Sequence, residues 1–304
     1  MTPIRLALDW TPNTNHTGFF VARELGFYSE LHVEIQISDP SEDNYAQTPA
    51  KKVELGLADF AIAPSESVIS YNTKSQPVPM RAVATLLQED VSAIVTLGKT
   101  SITRPRDLDG KIYASYGARY EDKIVQEMII NDGGKGDIQI VYPEMLGIWN
   151  TLHEGQADAT WVFLNWEGIE AEGAGLELNV FMLEDYGIPY GYSPVLIARQ
   201  DQIEEKSTAY RAFLAASKKG FLYAQEHPEK SVEILKPYVP PHDRQKIDLL
   251  KCQVTTSPYY TKDGIWGRMD PARIQKFLDW LEQKQLETTL QNGHLLFQHD
   301  LLDA

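Results

Sequence analysis

Cysteine is nearly missing from this chain: Cys252 is the one thiol in 304 residues. No intrachain disulfide can form, and a cysteine-based metal cluster is excluded. Basic residues are scarce as well, with 28 Lys and Arg against 43 Asp and Glu and a net charge of −15. A surface of that sign repels nucleic acid and anionic membranes, so neither is expected as the main partner. No apolar run is long enough to span a bilayer. No charged-then-apolar leader precedes the first strand pattern, which starts just after Met1-Thr2-Pro3. As it stands the sequence is expected in the cytoplasm, or in the periplasm or extracellular medium if a leader has been removed. The seven histidines are scattered, and His294 and His299 have no acidic cluster between them, so no metal site is expected.

What is present is a regular alternation of short apolar strands and amphipathic helices, the pattern of an α/β protein with largely parallel sheets. A weak repeat runs through it. Gly56-Leu57-Ala58-Asp59-Phe60-Ala61 is echoed by Gly155-Gln156-Ala157-Asp158-Ala159-Thr160. In each copy Gly can end a helix in a left-handed turn, and Ala-Asp launches a strand. The elements before each copy match too: Ile4 to Leu8, a polar loop and a helix from Phe19, against Lys111 to Ala114, the loop Ser115 to Arg119 and a helix from Tyr120. The halves therefore read as similarly built lobes.

Two strand-like segments, Val91 to Gly98 and Ser193 to Arg199, bracket the second copy. If the chain enters the second lobe at the first and returns at the second, lobe two is an insert over 93–192. Lobe one is then 1–92 plus 193–304, its helical C-terminal tail packing back on it. Two crossings make a hinge and a cleft.

Loops at the carboxyl ends of strands should face that cleft. The first carries Asp9, Trp10, Asn13 and His16; the second, Pro64 to Ser67, offers Ser65, with Ser65 or Ser67 equally suited to cap a helix. The third, Ser115 to Tyr120, holds Tyr116 and Arg119 at a helix start able to take one anion. The fourth, Trp161 to Glu167, adds Trp161, Asn165 and Glu167, and Tyr190 stands near the return crossing. Flat aromatic faces beside carboxylates and amides suit a planar heterocycle with an exocyclic amine, such as an aminopyrimidine. Arg119 is the sole cation in these loops.

These residues bring a family into view. The stretch from Leu8 to Tyr28, "LDWTPNTNHTGFFVARELGFY", is similar to the amino-terminal signature of solute-binding proteins for thiamine-pyrimidine precursors. "WVFLNWEGIEAE" and "DYGIPYGYSPVL" resemble their second-lobe segments. The resemblance implies a two-lobed periplasmic-binding-protein type II fold and a formylaminopyrimidine or hydroxymethylpyrimidine ligand. It nominates Asp9, Trp10, Asn13, His16, Trp161, Asn165 and Glu167 as ligand residues, with Tyr190 and Ser65 after them. One branch of the family consists of enzymes that hold pyridoxal phosphate on a lysine, consume a histidine of their own and carry a cysteine-rich run. Here "FAIAPSESVIS" contains neither lysine nor histidine, and Cys252 stands alone. Binding without catalysis, cofactor or metal is the preferred expectation. The alternatives are an enzyme of pyrimidine biosynthesis using His16 and Glu167 as acid and base, and a binder of a sulfonate or other small ligand using Arg119. A transporter partner is expected only for a secreted form.

Overall fold

The computed structural model describes residues 1–143, 148–287 and 296–302, with backbone alone at 148–150. His294 lies outside the described residues.

Ten strands form two five-stranded sheets. The first contains β1 (Thr2–Ala7), β2 (Val33–Ser38), β3 (Phe60–Ala63), β4 (Met80–Thr85) and β10 (Val195–Arg199), in the order β2-β1-β3-β10-β4. The second contains β5 (Ser92–Leu97), β6 (Ile112–Ala114), β7 (Gln139–Val141), β8 (Ala159–Phe163) and β9 (Leu178–Met182), in the order β7-β6-β8-β5-β9. The two orders are the same pattern. In each, three strands pair in parallel, and the fourth position is taken by an antiparallel strand that arrives from the other half of the chain. The sheets are thus mixed rather than wholly parallel, because β5 and β10 are the first strands laid down after each passage between sheets.

The G-x-A-D repeat has one structural job in both halves. Asp59 accepts from the Arg5 amide at 2.9 Å while its own N–H donates to the Arg5 carbonyl at 2.9 Å. Asp158 repeats this on Ile112, at 2.9 and 2.8 Å. Gly56 and Gly155 precede them at φ +70 and +71°, the left-handed conformation a Cβ would penalise. The aspartate stitches an incoming strand to its parallel neighbour, so its spacing from that glycine is fixed in each copy.

In the first half, Phe19, Phe60, Tyr210, Phe213 and Phe221 are buried between the sheet and the helices Thr17–Glu24 and Ser207–Glu226. These helices cross at glycines: a Cβ at Gly220 would lie 2.0 Å from the Gly18 carbonyl oxygen. Gly220→Ala must push the helices apart and is expected to cost about 1–3 kcal/mol, read as a lower urea midpoint at unchanged slope.

The C-terminal tail differs in part from the expectation of packing on lobe one. Gly267 bridges to Thr85 and Phe297 to Ala82, both on the first sheet's β4. The helix Pro271–Gln283, however, sets Phe277 against Tyr190 and Tyr120, Lys284 pairs with Glu127, and Glu287 pairs with Arg119. Its apolar face is broad enough to serve both halves, with Ile274, Phe277, Leu278, Trp280 and Leu281 all buried. No helix among the described residues is long and apolar enough to cross a membrane.

Candidate functional site

Between the sheets lies a cavity of about 200 Å³. It is below the roughly 300–1,000 Å³ of drug-sized sites and suits a single-ring ligand. Its walls come from the loops after β1 and β3 on one side and after β6 and β8 on the other, the same two loops of each half of the repeat. Tyr190 and Ser193, on the return passage, close a third side.

The loop after β1 is rigid for a reason visible in its bonds. Asn13 caps the 3-10 turn Thr14–His16, its Oδ1 accepting from the Asn15 amide at 2.9 Å. The Asn13 amide in turn donates to His16 Nδ1 at 3.3 Å. From the tail, Tyr260 donates to the Thr14 carbonyl at 2.5 Å, and Thr17 donates to Gln253 at 2.7 Å. Such anchoring lets so polar a loop lie buried with its polar groups paired.

Asp9, Trp10, Asn13, Tyr116, Trp161, Glu167 and Tyr190 line the cavity. The Trp161 ring lies 5.5 Å from that of Tyr190 at 58°, and Tyr190 stands edge-on to Phe277. The other four sequence candidates lie behind or beside the wall. His16 is fully buried under Asp9, with Nε2 2.8 Å from Asp9 Oδ1. Ser65 is buried, its amide donating to the Tyr192 carbonyl and its hydroxyl reaching Glu66 at 3.4 Å. Pro64, not a serine, takes the N-cap position of the helix Ser65–Thr73. Asn165 spans the two halves, its amide nitrogen donating to Asn15 at 2.8 Å and to Thr256 at 2.9 Å. Arg119 points away, onto Ser70, Thr73 and Glu287.

Two carboxyls that the sequence reading passes over complete the wall, Glu66 and Glu121. Glu66 accepts from the Tyr190 hydroxyl at 2.6 Å, and burial pushes its pKa up to about 7. Glu167 accepts from the Phe163 amide at 2.9 Å and is likewise raised to about 7 by burial. The two occupy matching places, on the first turn of the helix that follows the G-x-A-D strand in each half. The repeat alone does not connect them: Glu66 stands seven residues after Asp59 and Glu167 nine after Asp158, because the loop before the second helix is two residues longer. Glu121 accepts from the Tyr113 hydroxyl at 2.7 Å and from the Tyr116 and Ala118 amides at 3.1 Å each, and burial raises it too. Those amides are the donors an anion would have used, so the turn Ser115 to Tyr120 is already filled by the chain's own carboxylate.

The charge balance is one-sided. Asp9, Glu66, Glu121 and Glu167 line the cavity, and no Lys, Arg or His is among the described lining residues. Pyridoxal phosphate does not fit these residues: no lysine amine is placed to form its Schiff base, and its phosphate would face carboxyl groups.

The family profile described as NMT1/THI5 like matches residues 13–231 of this chain. A formylaminopyrimidine-binding protein of Halalkalibacterium halodurans is 23% identical over 288 residues, covering 92% of this chain and 84% of the relative. A 4-amino-5-hydroxymethyl-2-methylpyrimidine phosphate synthase of Legionella pneumophila is 25% identical over 235 residues, covering 76% and 72%. A Candida albicans gene product with the generic periplasmic-binding-protein fold superposes with a TM-score of 0.72 over 98% of this chain and 96% of that one, at 14% identity.

Proposed function

From the premise that this chain belongs to the NMT1/THI5-like family, we propose that it binds a thiamine-pyrimidine precursor, an aminopyrimidine, in the cavity between its two sheets. The observation that carries this reading is a carboxyl-only charge complement set among aromatic faces. An exocyclic amine needs acceptors, which ionised carboxylates supply, and a ring nitrogen needs a donor, which a protonated carboxyl supplies. Glu66 and Glu167, each with a pKa of about 7, can take either part near neutral pH. Trp161 and Trp10 offer faces for the ring. The Halalkalibacterium relative, named for binding formylaminopyrimidine, matches this chemistry. A sulfonate does not match it, because Arg119 is engaged with Glu287 outside the cavity wall. A transporter partner enters this proposal only for a secreted form.

Calorimetric titration with hydroxymethylpyrimidine and formylaminopyrimidine, against taurine as a sulfonate, tests the reading. An aminopyrimidine is expected to bind, and at a hundredfold excess over Kd to stabilise the fold by about 2.7 kcal/mol. Taurine binding with both pyrimidines silent would refute it.

A further inference from the structure

We propose that His16 is a positioning residue: it never touches the ligand but fixes the carboxylate of Asp9 from behind, and this rests on the aminopyrimidine reading above. His16 is wholly buried and absent from the cavity wall, whereas Asp9 is on that wall. The two ring nitrogens have different partners, and one of them settles the tautomer. A backbone N–H can only donate, so the Asn13 amide, 3.3 Å from Nδ1, makes Nδ1 an acceptor. The ring proton therefore sits on Nε2, which donates to Asp9 Oδ1 at 2.8 Å. A doubly protonated ring would set Nδ1–H against the Asn13 N–H.

The histidine is itself immobilised. It occupies the third position of the turn that Asn13 caps, and its amide donates to the Asn13 carbonyl at 3.0 Å. The turn is tied to the tail by Tyr260 and by the contact of Thr14 with Thr256. A chain of fixed donors thus runs from backbone to imidazole to carboxylate. It holds Oδ1 of Asp9 and leaves Oδ2 for the amine of the ligand. Without it Asp9, facing three other carboxyl groups across a small cavity, has no other side-chain hydrogen bond among the described residues to hold it there, and its ordering must be supplied on binding.

Two substitutions separate this role from a structural one. In His16→Asn the amide oxygen sits where Nδ1 does and keeps the Asn13 bond, but nothing reaches Asp9. In His16→Gln the longer side chain places an NH2 where Nε2–H was. Hydroxymethylpyrimidine is the probe. His16→Asn is expected to keep the melting temperature within a few degrees while losing about 10- to 100-fold in affinity, as loss of a support behind a ligating group does elsewhere. His16→Gln is expected to restore affinity to within severalfold of the unaltered protein. Equal affinities for all three, or equal losses in both folded variants, would overturn the proposal. A long-range 1H–15N spectrum of the unaltered protein provides a readout that needs no variant and no ligand. It should show the neutral Nε2–H tautomer for His16, and an Nδ1–H tautomer would overturn the proposal. If the unaltered protein binds no aminopyrimidine, the functional reading fails, while the tautomer still reports on the histidine.

Discussion

Replacing Glu66 with Gln is expected to remove about 2–3 kcal/mol from the stability that the protein loses between pH 5 and pH 8. In the unfolded chain this carboxyl titrates at its ordinary 4.5, and in the fold at about 7. Between those values the folded protein keeps a proton that the unfolded chain has released. The contribution to stability is therefore complete below about pH 4.5 and is lost as pH rises through 7. Glutamine has no proton to lose, and its amide oxygen can still accept from Tyr190, so the variant should fold and lack this part of the slope. Urea unfolding of both proteins at pH 5 and pH 8 measures it. Glu121 and Asp90, raised in the same direction by burial, keep a residual slope in the variant. Glu167, raised to about 7 as well, keeps a further part of the slope in the variant. An unchanged slope in Glu66→Gln would mean that this carboxyl is solvated and titrates as in water.

Trp161→Ala is expected to weaken aminopyrimidine binding by about 30-fold or more, which is about 2 kcal/mol, the scale of a buried aromatic anchor. The ring is half-buried at the margin of the core and faces the cavity beside Tyr190. Its removal takes away a stacking face and leaves β8, held by β5 and β6, in place. Affinity should therefore fall much further than the melting temperature. The reverse result, a lower melting temperature at unchanged affinity, would make Trp161 a packing residue.

The architecture was legible because its determinants are local and repeated. The glycine that ends a helix and the aspartate that ties one strand to the next stand three residues apart in both halves, and their spacing survives in the sequence. The antiparallel strands were not legible, because an apolar strand such as β5 or β10 has the same composition whichever way it runs. The site was readable at the level of loops and less so at the level of atoms. The density of polar residues from Asp9 to Thr17 marks a cavity wall, yet half of that chemistry holds the wall together: Asn13 as a cap, Asn15 as a partner for Asn165, His16 behind Asp9. Arg119 looked available to an anion because its partner, Glu287, lies 168 residues away. Ser65 drew attention from its neighbour Glu66 because a serine at a helix start suggests a cap, while the proline before it held that place.

Three of the six tryptophans, Trp10, Trp161 and Trp166, line the cavity, while Trp266 and Trp280 are buried in packed interior elsewhere. The cavity therefore carries its own optical probe. A ring that enters between these indoles changes their surroundings directly, against a steady background from Trp266 and Trp280. Intrinsic emission of the unlabelled protein can then follow occupancy in real time, and the Trp161→Ala variant would show which part of the signal comes from the stacking face.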